Sequence, residues 1–237
     1  MPNGIYLFGG RPSRFTSEFL RNGSNTWEAG PNIPFNMKHS PIWSIHDMVR
    51  DIYFESPSWN LGIHNNVNGG HRISEDSFII VRVRDILKFS FKTNEWSYIY
   101  KLKEGRVKGC SAILDGKLVV TGGYDINSEK VLKTTEVMDL SNGKSWLGGD
   151  LNIARYAFGM DLCDFDGKIR ILAFGGVTDY AKRFRTLNSV EVWYDDLQCW
   201  KMTSLQLFRC KRSFGYLNVP LGIFKTLPYF HKDTQRN

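Results

Sequence analysis

An apolar run that ends in two consecutive glycines occurs three times in this chain of 237 residues. The copies are GIYLFGG at 4–10, GKLVVTGG at 116–123 and IRILAFGG at 169–176. Glycine weakens a strand unless the backbone bends sharply there or approaches another backbone closely. The recurrence predicts repeated β-structure, and no helix signal follows the pairs to suggest a nucleotide-binding loop. We expect backbone geometry to require the paired glycines, namely Gly9, Gly10, Gly122, Gly123, Gly175 and Gly176.

Four segments also combine a short alternating strand, a polar turn and a final tryptophan. They are SEFLRNGSNTW, DILKFSFKTNEW, TTEVMDLSNGKSW and NSVEVWYDDLQCW, and they end at Trp27, Trp96, Trp146 and Trp200. The last two intervals between these tryptophans are 50 and 54 residues. A period of about 50 residues with several short strands is typical of propeller blades. We expect each tryptophan to fill the space between adjacent sheets.

Double glycine, short strand, polar turn and tryptophan together resemble the kelch repeat, in which one repeat forms one blade. The resemblance covers about 4–220 and is strongest between 106 and 212. It implies an all-β fold, a β-propeller of four-stranded antiparallel blades, with about four blades visible. The propeller would span residues 1–220, followed by a tail at 221–237. Kelch propellers often have about six blades, so we expect either an unusually small ring or, preferably, a larger propeller that is incomplete at its amino terminus.

Each repeat is predicted to contribute strands a to d, counted outward. In the third unit these are 108–114, 116–122, 134–140 and a strand from Trp146; in the fourth they are 156–163, 168–174, 189–195 and a strand from Trp200. The second unit is predicted at 41–46, 51–55, 85–91 and from Trp96, which leaves a long insertion at 56–84. We expect segment 212–220 to close the ring by pairing with 4–10.

The net charge of +7 is predicted to concentrate on one rim. Antiparallel strands place the b–c and d–a connections on one face and the tight a–b turns, Asp115-Gly116 and Asp166-Gly167, on the other. Such a basic rim favours binding of acidic peptide segments or carboxylate-bearing sugars, because arginine binds carboxylates with a planar fork. The alternative is that these charges only keep the protein soluble. The residues concerned are Arg106, Arg155, Lys182, Arg183, Arg185, Arg209 and Arg212.

The resemblance leaves two classes of function open. The first is a non-enzymatic scaffold that binds another protein through the face with the b–c and d–a loops. The second is a sugar-acting propeller enzyme such as a sialic-acid epimerase. We favour the scaffold and expect no cofactor, metal, nucleic acid or membrane partner. The oligomeric state is left open.

Cysteine spacing and the start of the chain bear on the compartment. Cys110 and Cys163 are expected to be buried thiols, whereas pairing of Cys199 with Cys210 and glycosylation of Asn22 are left open. The start, MPNGIYLFGG, lacks the regions of a signal peptide. This favours a cytoplasmic protein, with secretion as the alternative if the amino terminus is incomplete.

Overall fold

The computed structural model describes residues 4–8, 16–21, 26–32, 42–45, 67–180 and 183–212. These residues form 20 β-strands. Among them there is no helix, and hence none long and apolar enough to cross a membrane. The chain is therefore all-β over its described part, as the sequence predicts.

The first two sheets follow one another along the chain. Sheet 1 consists of β1 (Gly4–Phe8), β2 (Ser17–Arg21), β3 (Glu28–Ala29) and β4 (Ile42–Ile45), in the order β3-β2-β1-β4. Sheet 2 consists of β5 (Val67–Ser74), β6 (Ser77–Arg82), β7 (Asp85–Ser90) and β8 (Glu95–Lys101), in chain order. Both sheets are four-stranded and antiparallel.

The next two sheets share one plan, in which a small hairpin interrupts the connection between the second and third strands. Sheet 3 is formed by β9 (Cys110–Leu114), β10 (Lys117–Thr121), β13 (Thr135–Asp139) and β14 (Ser145–Gly148), with hairpin A formed by β11 (Tyr124–Asp125) and β12 (Lys130–Val131). Sheet 4 is formed by β15 (Gly159–Phe165), β16 (Lys168–Phe174), β19 (Ser189–Tyr194) and β20 (Cys199–Gln206), with hairpin B formed by β17 (Val177–Tyr180) and β18 (Arg183–Thr186). The strands predicted for the third and fourth units are confirmed.

Tight Asp-Gly turns join the first two strands of sheets 3 and 4. Asp115 and Gly116 have φ values of 48° and 73°, and Asp166 and Gly167 have 54° and 72°. Positive φ at both central residues defines the two-residue turn whose twist matches that of paired strands. The turns lie where the sequence predicts them.

The core lies between successive sheets, and sheet 3 is buried on both faces. Val119 and Val137 pack against Ile171 and Trp193 of sheet 4. Leu118 and Val120, on the other face of β10, belong to a cluster with residues of sheet 2. Neighbouring residues of a strand point to opposite faces, so a strand between two cores is apolar throughout.

Sheet 2 corrects the strand assignment of the second unit. Its first two strands are β5 and β6, within the segment 56–84 that the repeat pattern predicts to be an insertion. The residues from Phe78 to Val81 are fully buried, as expected for a strand between two packed faces. However, β6 is followed by Val83-Arg84 and not by a glycine pair. Segment 51–55 lies outside the described residues.

Sheet 1 corrects the expected closure of the ring. Residues 42–45, predicted as the first strand of the second unit, form β4 and pair with β1. The other edge of β1 pairs with β2. A strand has only two hydrogen-bonding edges, so the predicted pairing of 212–220 with this strand is wrong. Residues 213–220 themselves lie outside the described part.

Candidate functional site

Two of the cations assigned to the basic rim are buried. Arg106 and Arg155 are both 0% exposed. The expectation that they lie on an accessible rim is therefore wrong. The physical reason is that both Nη atoms of each guanidinium donate to buried acceptors inside the protein.

Arg155 precedes β15 and reaches the start of β19 in sheet 4. Its Nη1 donates to the carbonyl oxygens of Gly175 (3.0 Å) and Ser189 (3.2 Å). Its Nη2 donates to Ser189 Oγ (3.2 Å) and to Glu191 Oε1 (2.7 Å). Glu191 is also 0% exposed, so this is a fully buried ion pair.

Arg106 repeats these contacts in sheet 3. Its Nη1 donates to the carbonyl oxygens of Gly122 and Thr134, both at 2.9 Å. Its Nη2 donates to Thr134 Oγ1 (3.3 Å) and Glu136 Oε1 (3.4 Å). In both sheets the acceptors come from the first glycine of the pair, from a Thr or Ser, and from a Glu two residues after that Thr or Ser. We call this set of acceptors the arginine-binding site.

The glutamate of each arginine-binding site also holds the connection that enters the sheet. Glu136 accepts hydrogen bonds from the backbone N–H groups of Lys103 (2.8 Å) and Glu104 (3.1 Å). Glu191 accepts the corresponding bonds from Asn152 (2.7 Å) and Ile153 (3.1 Å). Burial lowers the pKa of Arg106 and Arg155, and the facing glutamate opposes this by raising it. Both sites therefore have a structural role, because each ties the connection that enters a sheet to that sheet.

Backbone geometry accounts for the described glycine pairs. Gly122, Gly123, Gly175 and Gly176 have φ values of 61°, 101°, 68° and 95°, which side-chain-bearing residues rarely adopt. A Cβ on Gly122 would lie 2.6 Å from the carbonyl oxygen of Arg155. Gly9 and Gly10 lie outside the described residues.

The four repeat tryptophans do not share one environment. Trp200 donates to Thr135 Oγ1 (3.0 Å) and Trp146 donates to Gln198 Oε1 (2.7 Å), so both join sheets 3 and 4. Trp96 packs against Phe78 and Phe89 of its own sheet. Trp27 is 44% exposed, so the expectation that it fills the space between adjacent sheets is wrong.

The remaining described cations of the predicted set are exposed. None of the four forms an ion pair with another described residue, in contrast to the buried arginines. Lys182 lies outside the described residues. We call the exposed set the arginine cluster: Arg183, Arg185, Arg209 and Arg212.

A row of aromatic rings lies near Arg212, one member of the arginine cluster. The Tyr124 ring of hairpin A is 5.8 Å from the Tyr156 ring, which is 6.2 Å from the Phe184 ring of hairpin B. Phe184 is 64% exposed. Burial raises the pKa of Tyr156, and the nearby positive charge of Arg212 opposes that rise. We call Tyr124, Tyr156 and Phe184 the aromatic row, a feature that sequence spacing alone did not reveal.

The sequence also did not reveal a polar cluster between β5 and β9, formed by Asn68, His71 and Ser111. His71 Nε2 lies 2.8 Å from Ser111 Oγ. Asn68 donates to the carbonyl oxygens of Arg82 (3.1 Å) and Arg106 (2.9 Å) and accepts from the Gly109 N–H (2.9 Å). Burial lowers the pKa of His71 to about 4. The His71–Ser111 bond joins sheets 2 and 3, and Asn68 joins β6 to the connection before β9, which gives the cluster a structural role.

The cysteines are free thiols, and Cys199 is not bonded to Cys210. Cys163 is exposed, contrary to expectation, because its strand β15 continues beyond the core into an exposed turn. Burial raises the pKa of the Cys110 thiol to about 12. Within the described ranges, no group of three His, Cys, Asp or Glu side chains is placed to hold a metal ion.

Comparison of the chain with protein-family models and with curated proteins finds no match.

Proposed function

We propose that the chain is a kelch-type β-propeller scaffold that binds an acidic protein segment through the arginine cluster and the aromatic row. The observation that carries the proposal is the group of four exposed arginines without ion-pair partners among the described residues, one of which, Arg212, lies near a partly exposed row of rings. Exposed charges of one sign attract segments of opposite charge and speed their association. Aromatic rings and arginine are the side chains most enriched where binding energy concentrates.

The arrangement of the sheets supports the propeller assignment. The first strands of sheets 2, 3 and 4 lie against each other in sequence, β5 with β9 and β9 with β15. Successive sheets pack face to face through shared apolar clusters. Stacking of sheets around their first strands is what a radial array of blades requires.

Backbone contacts bring the two parts of the arginine cluster together. Arg183 and Arg185 lie on β18, which ends at Thr186. The next residue, Leu187, accepts a hydrogen bond from the N–H of Lys211 (3.1 Å). Residues 209–212 therefore run alongside the base of hairpin B. One extended peptide can contact both parts of the cluster.

Binding of an acidic peptide tests the proposal. The probe is a fluorescein-labelled peptide of about twelve residues, rich in Glu with one Phe, and fluorescence anisotropy measures its dissociation constant. We expect the double variant Arg183→Glu/Arg185→Glu to bind about tenfold more weakly or worse, with an unchanged melting temperature. Raising the salt concentration from about 0.1 M to about 1 M should weaken wild-type binding, because the screening length falls from about 10 Å to about 3 Å.

Matched controls separate specific recognition from bulk charge. Lys144→Glu/Lys168→Glu reverses two exposed cations, one in a turn and one at the start of β16, and should leave the affinity within about threefold. A peptide with Gln in place of Glu should not bind detectably. Equal losses in both double variants, or binding that survives reversal of Arg183 and Arg185, would contradict the proposal.

A further inference from the structure

Strand β18 is the outer strand of hairpin B. It pairs with β17 along one edge, and no other described strand pairs with it. By contrast, β12 of hairpin A lies against β17 of hairpin B. A two-stranded sheet is only marginally stable by itself, whereas a third strand with an apolar face stabilises it. The outer edge of β18 is therefore a place where a further strand can be added.

The backbone hydrogen bonds determine which groups of β18 point to this outer edge. Val177 exchanges both of its backbone hydrogen bonds with Tyr156, at 2.9 and 3.0 Å, and so faces away from β18. Val177 lies opposite Thr186, so this pair is not hydrogen-bonded. Bonded and non-bonded pairs alternate along an antiparallel ladder, which places Phe184 in the same class as Thr186. The N–H and C=O groups of Phe184 and Thr186 therefore point to the outer edge.

The side chains of β18 alternate in chemistry as they alternate in direction. Arg183 and Arg185 lie on one face of the hairpin, and Phe184 lies on the other face with the aromatic row. All three side chains are exposed, Phe184 at 64%. An added strand would therefore meet a cation, an aromatic ring and a second cation in succession.

An added antiparallel strand complements this edge if it alternates acidic and apolar residues. Residues opposite Arg183 and Arg185 form non-hydrogen-bonded pairs, in which side chains approach most closely. Carboxylates at these two places are favourable, because opposite charges attract across a strand pair. The residue between them faces Phe184, where an apolar side chain fits. Asp179 lies opposite Phe184 on β17 and disfavours a carboxylate on that face.

Charge distinguishes between the candidate occupants of this edge. A second copy of β18 would place Arg183 opposite Arg185, and like charges directly opposite each other are destabilising. The longer edge strand of sheet 4, β20, carries a single cation, Lys201. An acidic segment of a partner protein is therefore favoured, and it is favoured at β18 over β20.

We propose that the acidic partner segment binds as a third, antiparallel strand on β18 and is recognised by the alternation of its acidic and apolar residues. Main-chain hydrogen bonds to Phe184 and Thr186 supply affinity, and the side chains opposite Arg183, Phe184 and Arg185 supply specificity, as is usual when a peptide adds a strand to a sheet. This inference rests on the proposed function, because it describes how the arginine cluster and the aromatic row recognise their partner.

The order of residues in a peptide tests this specificity. Two fluorescein-labelled peptides of about twelve residues have one composition, Glu with Val and one Phe, but Glu alternates with the apolar residues in the first and forms one block in the second. In fluorescence anisotropy we expect the alternating peptide to bind wild type about tenfold more tightly. Equal affinities that Arg183→Glu/Arg185→Glu abolishes would overturn strand addition but support the proposed function. Binding of neither peptide would overturn both.

Methylation of peptide nitrogens tests the main-chain hydrogen bonds. In the antiparallel arrangement the N–H groups of the apolar residues point to β18, and those of the acidic residues point away from it. N-methyl groups on two apolar residues should weaken binding about tenfold or more, whereas two on acidic residues should weaken it less than about threefold. Equal losses, or a greater loss from the acidic set, overturn the proposal.

Thr186→Pro tests the same bonds from the side of the protein. Proline removes an N–H that points outward and leaves the bonds between β17 and β18 in place. We expect this variant to keep the wild-type melting temperature and to bind the alternating peptide about tenfold more weakly, with the affinity of the block peptide. A retained preference for the alternating peptide overturns the proposal. If the melting temperature falls, the methylated peptides decide on wild-type protein.

Discussion

Arginine occurs in two different roles in this protein, and local surroundings decide which. Arg155 is surrounded by fixed acceptors and is fully buried. Arg183 lies on a projecting hairpin and is exposed. The two types are not distinguished by composition or net charge. They are distinguished by recurrence: Arg106 and Arg155 stand at the same place in two repeats, each ahead of a glycine pair and a glutamate. That recurrence was a signal for a structural role.

Removing one partner of the buried pair should destabilise the fold strongly. We expect Arg155→Leu to lower the free energy of unfolding by about 3–5 kcal/mol, because Glu191 keeps a buried charge without its cation. Arg183→Leu is the exposed control and should change it by less than about 0.5 kcal/mol. Urea unfolding monitored by tryptophan fluorescence measures both. Losses of similar size in the two variants would show that Glu191 is not held as described.

At the scale of the element, the same repeat tolerates different strand sequences. Sheets 3 and 4 carry the glycine pair and the glutamate, whereas sheet 2 has Val83-Arg84 and Ile86 at these positions. In sheet 2 the aromatic side chains Phe78, Phe89 and Trp96 pack together in the core. At the place of the glutamate, Ile86 packs with Val81 and Leu102 in an apolar cluster instead of an ion pair. Segment 67–82 is thus part of the framework.

Strand β6 should therefore be essential to stability. We expect Phe78→Ala to lower the free energy of unfolding by about 3–5 kcal/mol, since Phe78 is 0% exposed and the cavity would not refill. Tyr98→Ala, on β8 of the same sheet, removes a side chain that is 67% exposed and should cost less than about 1 kcal/mol. Thermal unfolding followed by circular dichroism compares the two. If segment 67–82 were a loop insertion, both variants would resemble wild type.

These elements show what sequence could and could not predict. Sheets 3 and 4 were predictable because Asp-Gly turns, glycine pairs and tryptophans mark both ends of their strands. Strands β5 and β6 were not, because no glycine pair ends β6 and the turn after it has only Val83 and Arg84. The positive charge of the arginine cluster was predictable from the sequence. The aromatic row was not, because Tyr124, Tyr156 and Phe184 come from three separate segments that meet only in the fold.

At the scale of the whole molecule, stability depends on hydrogen bonds and ion pairs between sheets as well as on apolar packing. We call each such group of bonds a joint. The His71–Ser111 hydrogen bond joins sheets 2 and 3, and Asn68 bonds to Arg106 and Gly109 of the connection that leads into sheet 3. The bond from Trp200 to Thr135 and the ion pair of Lys117 with Asp195 (2.6 Å) join sheets 3 and 4. Each joint links elements far apart in sequence, so loosening one affects the whole structure.

Acid should weaken the joint at His71. Burial lowers its pKa from 6.5 to about 4, so the unfolded chain binds a proton at higher pH than the folded protein. The contribution of His71 to the free energy of unfolding is therefore fully present above about pH 6.5. It is lost as the pH drops toward 4, which lowers the free energy of unfolding by up to about 3 kcal/mol. Urea unfolding of wild type and His71→Gln across this range isolates the contribution. Parallel pH profiles for the two proteins would contradict it.

Hairpins A and B have a consequence for protein engineering. Each leaves its sheet immediately after a glycine pair and returns just before the residues that form the arginine-binding site. The sheet's own hydrogen bonds begin and end outside the hairpin. The hairpins are thus two neighbouring graft points. We expect foreign recognition sequences inserted there to leave the scaffold intact if Tyr124 and Val177 keep their backbone bridges to Val107 and Tyr156.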